Sequence, residues 1–308
     1  MGIQVGHVDL DSSHPGNWIP IIRDLGYEVA GVYDGGTVWP EGYAQQFAAR
    51  HEIPRAYESL PEMARDVDIA IIHSCNWDLH VERARPFVAA GKAIFIDKPM
   101  VGNLADANQL RRWAQQGIRV TGGSSARFAQ EVQDFLGRPP AERGRPHSIF
   151  CGCGVDEFNY GVHAYSLMLG LMGPGVESVR YLGSSSQRQI EVVWSDKRRG
   201  ILTIGANPSY LPFYATVVSD QAITHIQLDN TRLYRALLER ALPYLAGEAD
   251  PPGSIEELLE VELTAVAARM SWMQNGARIF LSDLRQDDPG YDGGAFAQSY
   301  RLSRLGAQ

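Results

Sequence analysis

Apolar residues along the first 122 positions fall into two alternating patterns. Residues 3–8, 27–33, 67–73, 93–96 and 118–121 are near-continuous apolar runs, as strands buried on both faces require. Residues 18–25, 42–50, 61–65, 80–90 and 104–116 instead repeat their apolar positions every three to four residues, and predict helices. Gly26 and Gly91 stand where two of these helices should stop. Strands interleaved with helices of about a dozen residues predict a parallel sheet covered on both faces. Beyond Gly122-Gly123 the texture changes. Residues 147–153, 176–183, 189–194, 200–206, 215–218 and 223–228 read as short strands, several joined as hairpins, which predicts an open, mainly antiparallel sheet. A long amphipathic helix over 254–275 starts at Ser254 with Glu257 three residues on, a capping-box pattern. The chain therefore reads as α/β, with one unit over 1–122 and an α+β unit over 123–308.

Composition narrows the partners. Of 308 residues 44% are hydrophobic and 21% charged, ordinary for a folded soluble chain. A net charge of -8 argues against nucleic acid or an anionic membrane as the main partner. No apolar run approaches a membrane span, and the opening MGIQVGHVDLD lacks the basic start and cleavage site of a signal peptide. Three cysteines, Cys75, Cys151 and Cys153, make no disulfide framework, so a cytoplasmic location is expected. The Cys151-Gly-Cys153 spacing is unlike zinc knuckles and reads as two strand cysteines.

The densest chemistry lies between Asn76 and Met100. An apolar strand that ends in Asp97-Lys98-Pro99 delivers a lysine to the sheet's carboxyl edge, where open α/β sheets bind ligands. Pro99 disfavours a helical Lys98 and keeps it extended. Three signals occur in order here: Asn76 and His80 after one strand, Ala90-Gly91-Lys92 at a helix end, and Asp97-Lys98-Pro99 after the next strand. Together they resemble the Gfo/Idh/MocA family of nicotinamide-dependent sugar oxidoreductases. The likeness runs from the first strand to about Leu281, where Ser271-Trp-Met-Gln-Asn-Gly resembles the close of the family's late helix.

The resemblance implies a Rossmann dinucleotide-binding domain followed by a substrate and oligomerisation domain. It implies NAD as cofactor, a carbohydrate-like substrate and a homo-oligomer, dimer or tetramer, formed through the open sheet. It pairs Lys98 with His163, the histidine of Asn159-Tyr-Gly-Val-His163, where the family has aspartate in place of Asn159. His163 would take the hydroxyl proton while Lys98 holds the oxygen. Asp34 closes the second strand, where a carboxylate accepts from ribose hydroxyls and repels a 2′-phosphate, favouring NAD over NADP. Ser74, Asn76, His80 and Asp97 would also face the cofactor. Arg127, Tyr160 and Tyr165 would hold substrate, with Asp156 and Glu157 as further polar contacts. Trp77 would stack near the nicotinamide or fill the core.

The glycine loop departs from the pattern. Taken from Gly6, the turn reads Gly6-His-Val8-Asp-Leu-Asp11, with Val8 and Asp11 where two more glycines belong. Val8 would crowd the phosphates and Asp11 would place negative charge at the helix N-terminus. Ser12 and Ser13 could donate to a phosphate in compensation, or simply cap the helix. A rival reading gathers His7, Asp9, Asp11 and His14 around a metal, but the turn near Asp9 breaks their shared face, so no metal is expected. The loop and Asn159 together keep two alternatives open: a non-redox lyase, isomerase or hydrolase, and a silent binding protein on the same scaffold.

Overall fold

The computed structural model describes residues 2–306. Its first sheet has five parallel strands, β1 (Gln4–Val8), β2 (Glu28–Tyr33), β3 (Ile69–Ile72), β4 (Ala93–Ile96) and β5 (Val120–Gly122). Their order is β2-β1-β3-β4-β5, so the direction of winding reverses between β1 and β3. Every residue of β3 and β4 is buried, which is why both read as unbroken apolar runs. Helices α1 (His14–Asp24), α2 (Tyr43–Arg50), α3 (Leu60–Asp66), α4 (His80–Ala89) and α5 (Leu104–Gln115) supply most of the cover. At β5, Gly122 has φ +154, and a Cβ there would stand 1.9 Å from the carbonyl oxygen of Ile96. Only glycine lets the two strands close at that point.

A turn at Ser125–Phe128 and two short helices, α6 (Gln130–Gly137) and α7 (Pro140–Arg143), lead to the second sheet. It comprises β6 (Pro146–Gly154), β7 (Val176–Ser184), β8 (Arg188–Trp194), β9 (Arg199–Ile204), β10 (Leu211–Ser219), β11 (Ile223–Gln227) and β12 (Ile279–Phe280). The order is β11-β10-β6-β9-β8-β7-β12, and every pairing is antiparallel except β6 with β9. Cys151 and Cys153 are free thiols buried along β6. Helix α8 (Val162–Met172), almost wholly buried, follows β6 and packs on the sheet's inner face. The outer face keeps exposed apolar side chains, among them Phe150, Leu182 and Ile223.

Three later helices tie the two sheets together. α9 (Leu233–Ala246) crosses back to pack on α1, β4 and β5. α10 (Ile255–Met273) lies between α5, α8 and β7, and its N-terminus carries the full capping box, Ser254 and Glu257 each bonding the other's backbone N–H. α11 (Gly293–Leu305) returns to the first sheet and covers the turn Trp77–Leu79 after β3. Asp78 accepts from the first N–H groups of α11, Gly293 at 2.8 Å and Gly294 at 3.3 Å. Among the described residues no helix is long and apolar enough to cross a membrane.

Candidate active site at the strand ends

Five of the eight histidines gather around the carboxyl end of the parallel sheet or the start of α8: His7, His14, His73, His80 and His163. A cavity of about 230 Å³ opens among Ser12, Ser13, His14, His73, Ser74, Cys75, Asp97, Lys98, Asn159 and Tyr160. Tyr234 of α9 and Phe296 and Tyr300 of α11 close its wall. That volume is below the ~300–1,000 Å³ of most small-molecule clefts.

Lys98 reaches across from the first sheet to the turn before α8. Its Nζ donates to the backbone oxygen of Asn159 at 3.1 Å and to the side-chain Oδ1 at 3.2 Å. The Lys98–Pro99 peptide is cis. Burial lowers the lysine's pKa against the opposing pull of Asp97 and Asp156. Asp97 is enclosed by donors: His14 Nδ1 at 2.6 Å and His73 Nδ1 at 3.0 Å share Oδ2, while the Lys98 N–H reaches Oδ1 at 2.7 Å. Burial alone would raise this carboxyl, but the two histidines hold it well below the usual carboxylate range. Behind them, His7 Nδ1 lies 2.9 Å from His73 Nε2. One assignment of protons satisfies the chain: His7 donates to His73, and His73 and His14 both donate to Asp97. The second nitrogen of His7 stays buried without a partner.

The loop after β1 takes a different frame from the one read in sequence. β1 runs to Val8, so Gly6 lies inside the strand, where a Cβ would meet Met63 Cε at 2.2 Å. Its missing side chain makes room for α3, and the fully buried Val8 ends the strand; neither is placed for a cofactor role. The turn begins at Asp9, a non-glycine residue at φ +59. The three fingerprint glycines would thus fall on Asp9, Asp11 and His14.

Both aspartates point across the sheet's switch point. Asp9 accepts from the Gly35 N–H at 2.8 Å, from Arg83 Nε at 3.1 Å and from the Ser74 hydroxyl. Asp11 accepts from the Cys75 N–H at 2.9 Å, and its other oxygen is buried and unpaired. Burial, then the neighbouring Asp9, pushes Asp11 up to about 7. Asp34 accepts from Gly36 N–H at 2.7 Å and Leu10 N–H at 3.3 Å, with burial raising its pKa. In a sheet of this order the ligand crevice lies between the ends of β1 and β3. Here two aspartates bridge that crevice, Asp9 paired with Arg83 and Asp11 held up near 7, so a pyrophosphate would meet carboxyl groups where it needs N–H groups. As arranged, these residues do not fit a dinucleotide.

Several other expected site residues stand elsewhere. His163 is not among the cavity-lining residues. Its Nδ1 pairs with the Ser124 hydroxyl at 2.7 Å, its ring packs on Tyr160 and Phe213, and burial with Lys98 nearby keeps it neutral. Tyr165 is sealed inside α8's packing with its hydroxyl unpaired. Arg127 points to a separate cleft beside Gln133 and Arg240, donating to the Glu257 carbonyl at 3.3 Å. Asn76 caps the turn that follows it, and both ring nitrogens of His80 lie against backbone carbonyls, of Ser74 and Met100. Trp77 is core, donating to the Tyr291 carbonyl at 2.9 Å under Phe158 and Phe296. Asp156 accepts from the Phe158 and Tyr160 N–H groups, and Glu157 pairs with Arg188. His73, Tyr234, Phe296 and Tyr300 line the cavity without having been singled out in sequence. For α11 a signal existed: Asp292 as N-cap, then Phe296 and Tyr300 four apart.

Residues 16–121 match the model of an oxidoreductase family with an NAD-binding Rossmann fold. Over these residues the chain matches the Gfo/Idh/MocA family. Rabbit (Oryctolagus cuniculus) trans-1,2-dihydrobenzene-1,2-diol dehydrogenase is 35% identical over 68 residues, 22% of this chain and 21% of its own length. The match spans only 20% to 31% of the length of such curated relatives. The whole architecture recurs in solved structures. Scyllo-inositol dehydrogenase from Lactobacillus casei, with bound NAD(H) and scyllo-inositol, superposes with a TM-score of 0.78 at 13% identity, over 92% of this chain and 100% of that one. UDP-N-acetylglucosamine 3-dehydrogenase from Acidithiobacillus ferrooxidans gives 0.73 at 16%, over 88% and 98%.

Proposed function

We propose that this protein acts on a carbonyl- or hydroxyl-bearing carbon of a sugar, polyol or related small molecule by proton transfer, as an isomerase or lyase, without a dinucleotide. The observation that carries this reading is the pair of aspartates, Asp9 and Asp11, bridging the crevice a pyrophosphate would need. The cavity suits a small polyhydroxylated molecule: Ser12, Ser13, Ser74, Tyr160, Tyr234 and Tyr300, all hydroxyl-bearing, and the amide-bearing Asn159 line it. In this reading Lys98 is the base that takes a proton from the carbon beside the carbonyl. Burial lowers the pKa of Lys98, which favours its release of a proton and its service as a base. Asn159 aims its ammonium, and His14, held by Asp97, turns its other edge to the substrate oxygen. His163 positions Tyr160 from behind. Return of the proton from Lys98 to the former carbonyl carbon, with the α-hydroxyl proton passing to the former carbonyl oxygen, gives isomerisation; delivery of that proton to a departing β-hydroxyl, which leaves as water, gives elimination.

A second reading is NAD-dependent oxidation of a polyol hydroxyl, with Lys98 on the oxygen and His163 as base. The match to an NAD-binding oxidoreductase family favours it, as do fold neighbours solved with NAD. Calorimetry with NAD+, NADH, NADP+ and NADPH separates the two, alongside proton NMR of keto-sugars incubated with the protein in D2O. Silence toward all four dinucleotides with Lys98-dependent C–H exchange supports the first. Tight NAD(H) binding with polyol turnover at 340 nm replaces it with the second. We further assign residues 1–122 and 123–308 as the two structural units, cytoplasmic, and self-associated through the outer face around Phe150; a monomer by light scattering would refute that association.

A further inference from the structure

The histidine and carboxylate cluster at the cavity floor has the ligand set of a transition-metal site. We propose that His14, His73 and Asp97 bind one divalent ion of the zinc, manganese, iron(II) or cobalt class. These residues come from three separate elements, α1, the end of β3 and the end of β4, and offer ligand atoms within 4.8 Å of one another. No contact within a single helix or turn explains their convergence.

The spacing fits. With metal–nitrogen and metal–oxygen bonds of ~2.1 Å, neighbouring ligands around an octahedral ion lie ~3 Å apart. His73 Nδ1 already stands 3.0 Å from Asp97 Oδ2, and His14 Nδ1, at 2.6 Å, has only a few tenths of an ångström to retreat. Two neutral imidazoles and one carboxylate leave open positions, and the three residues line the cavity, with His14 the most accessible at 13% side-chain exposure. Harder ions such as magnesium, which favour all-oxygen shells, do not suit two imidazoles.

The outer shell is also in place. A metal-bound histidine normally donates its other N–H to a fixed acceptor, and His7 Nδ1 waits 2.9 Å from His73 Nε2. Metal on His73 Nδ1 moves that ring's proton to Nε2, and His7 shifts its own proton to its far nitrogen, so no net proton is lost. The second oxygen of Asp97 is oriented by the Lys98 N–H at 2.7 Å. In the reaction proposed above, the ion would hold the carbonyl oxygen that Lys98 works beside. Its binding, however, is measured without any substrate and stands or falls independently of that reaction.

The test uses the intact protein, freed of metal by chelation and dialysis, titrated calorimetrically with Zn²⁺, Mn²⁺ and Co²⁺. One ion per chain is expected, and Co²⁺ should give visible ligand-field absorption. His73→Ala and Asp97→Asn should each weaken binding at least about 100-fold, and His7→Phe about 10- to 100-fold, the range for outer-shell partners. His225→Ala, on an exposed strand position, controls for surface binding. Circular dichroism identifies any variant that fails to fold, and Asp97→Asn, which preserves shape, then carries the comparison. Binding of none of the three ions, or binding undiminished in folded Asp97→Asn, overturns the proposal and leaves the cluster as a hydrogen-bonded relay.

Discussion

Lys98 is enclosed, and an enclosed ammonium loses hydration that two hydrogen bonds to Asn159 only partly replace. Its proton is therefore held less tightly than in water, which is the direction a lysine base needs. Lys98→Arg keeps the charge and cannot release it, so C–H exchange should fall about 10²- to 10⁴-fold while the fold survives. The wild-type rate should rise with pH through an acid limb below the ordinary lysine value of 10.5. A Lys98→Arg protein as active as wild type would remove the lysine from the chemistry.

Asp11 bears on stability. It titrates near 7 in the fold against an ordinary value of 3.8, so between these pH values the folded chain holds more protons than the unfolded one. The stability contributed by this one group then falls as pH rises from about 4 to about 7 and levels off above. Glu262, also near 7 through burial, acts in the same direction. Asp11→Asn removes one of these two contributions. Its melting temperature should exceed wild type at pH 8, with the gap closing toward pH 4. Parallel melting profiles across that range would contradict the assignment.

Among the elements, α10 was the most legible because its start is written in local chemistry. Ser254 and Glu257 satisfy each other's backbone donors before any tertiary contact forms. The helix packs against both halves of the fold, so Ser254→Ala should cost about 1 kcal/mol, read as a lower urea midpoint at unchanged slope. An unchanged midpoint would mean that burial alone fixes the helix. β3 and β4 were equally legible, since only strands buried on both faces read as IAII and AIFI. The loop after β1 was misread for a physical reason. Gly6 looks like a turn glycine but is there to admit Met63, and nothing local distinguishes the two uses. α9 and α11 carry local helix signals that the sequence reading passed over, Gly247 closing α9 and Asp292 capping α11, but their seats on α1 and on Asp78 and Trp77 depend on tertiary contacts. His73 closed a predicted strand, and its pairing with Asp97 across two strands is invisible to spacing along the chain.

At the scale of the whole molecule, a parallel sheet with its switch point and a family match over residues 16–121 come with a crevice that two aspartates bridge. If Asp9 and Asp11 alone exclude the dinucleotide, restoring glycine at both should restore binding. Asp9 already sits at φ +59, where glycine is unstrained, and removing its carboxylate frees Arg83, Ser74 and the Gly35 N–H to face a phosphate. Asp11→Gly likewise frees the Cys75 N–H. The double variant should therefore acquire calorimetrically detectable NAD+ affinity, with Kd below about 1 mM, equivalent to roughly 4 kcal/mol of binding. Wild type should give no heat under the same conditions. A folded double variant that stays silent would place the obstruction elsewhere, with α11 the next element to test, because Phe296 and Tyr300 wall the cavity from the other side. NAD+ bound equally by both proteins would show that a pyrophosphate can pass the two carboxylates, and would favour the second, NAD-dependent reading.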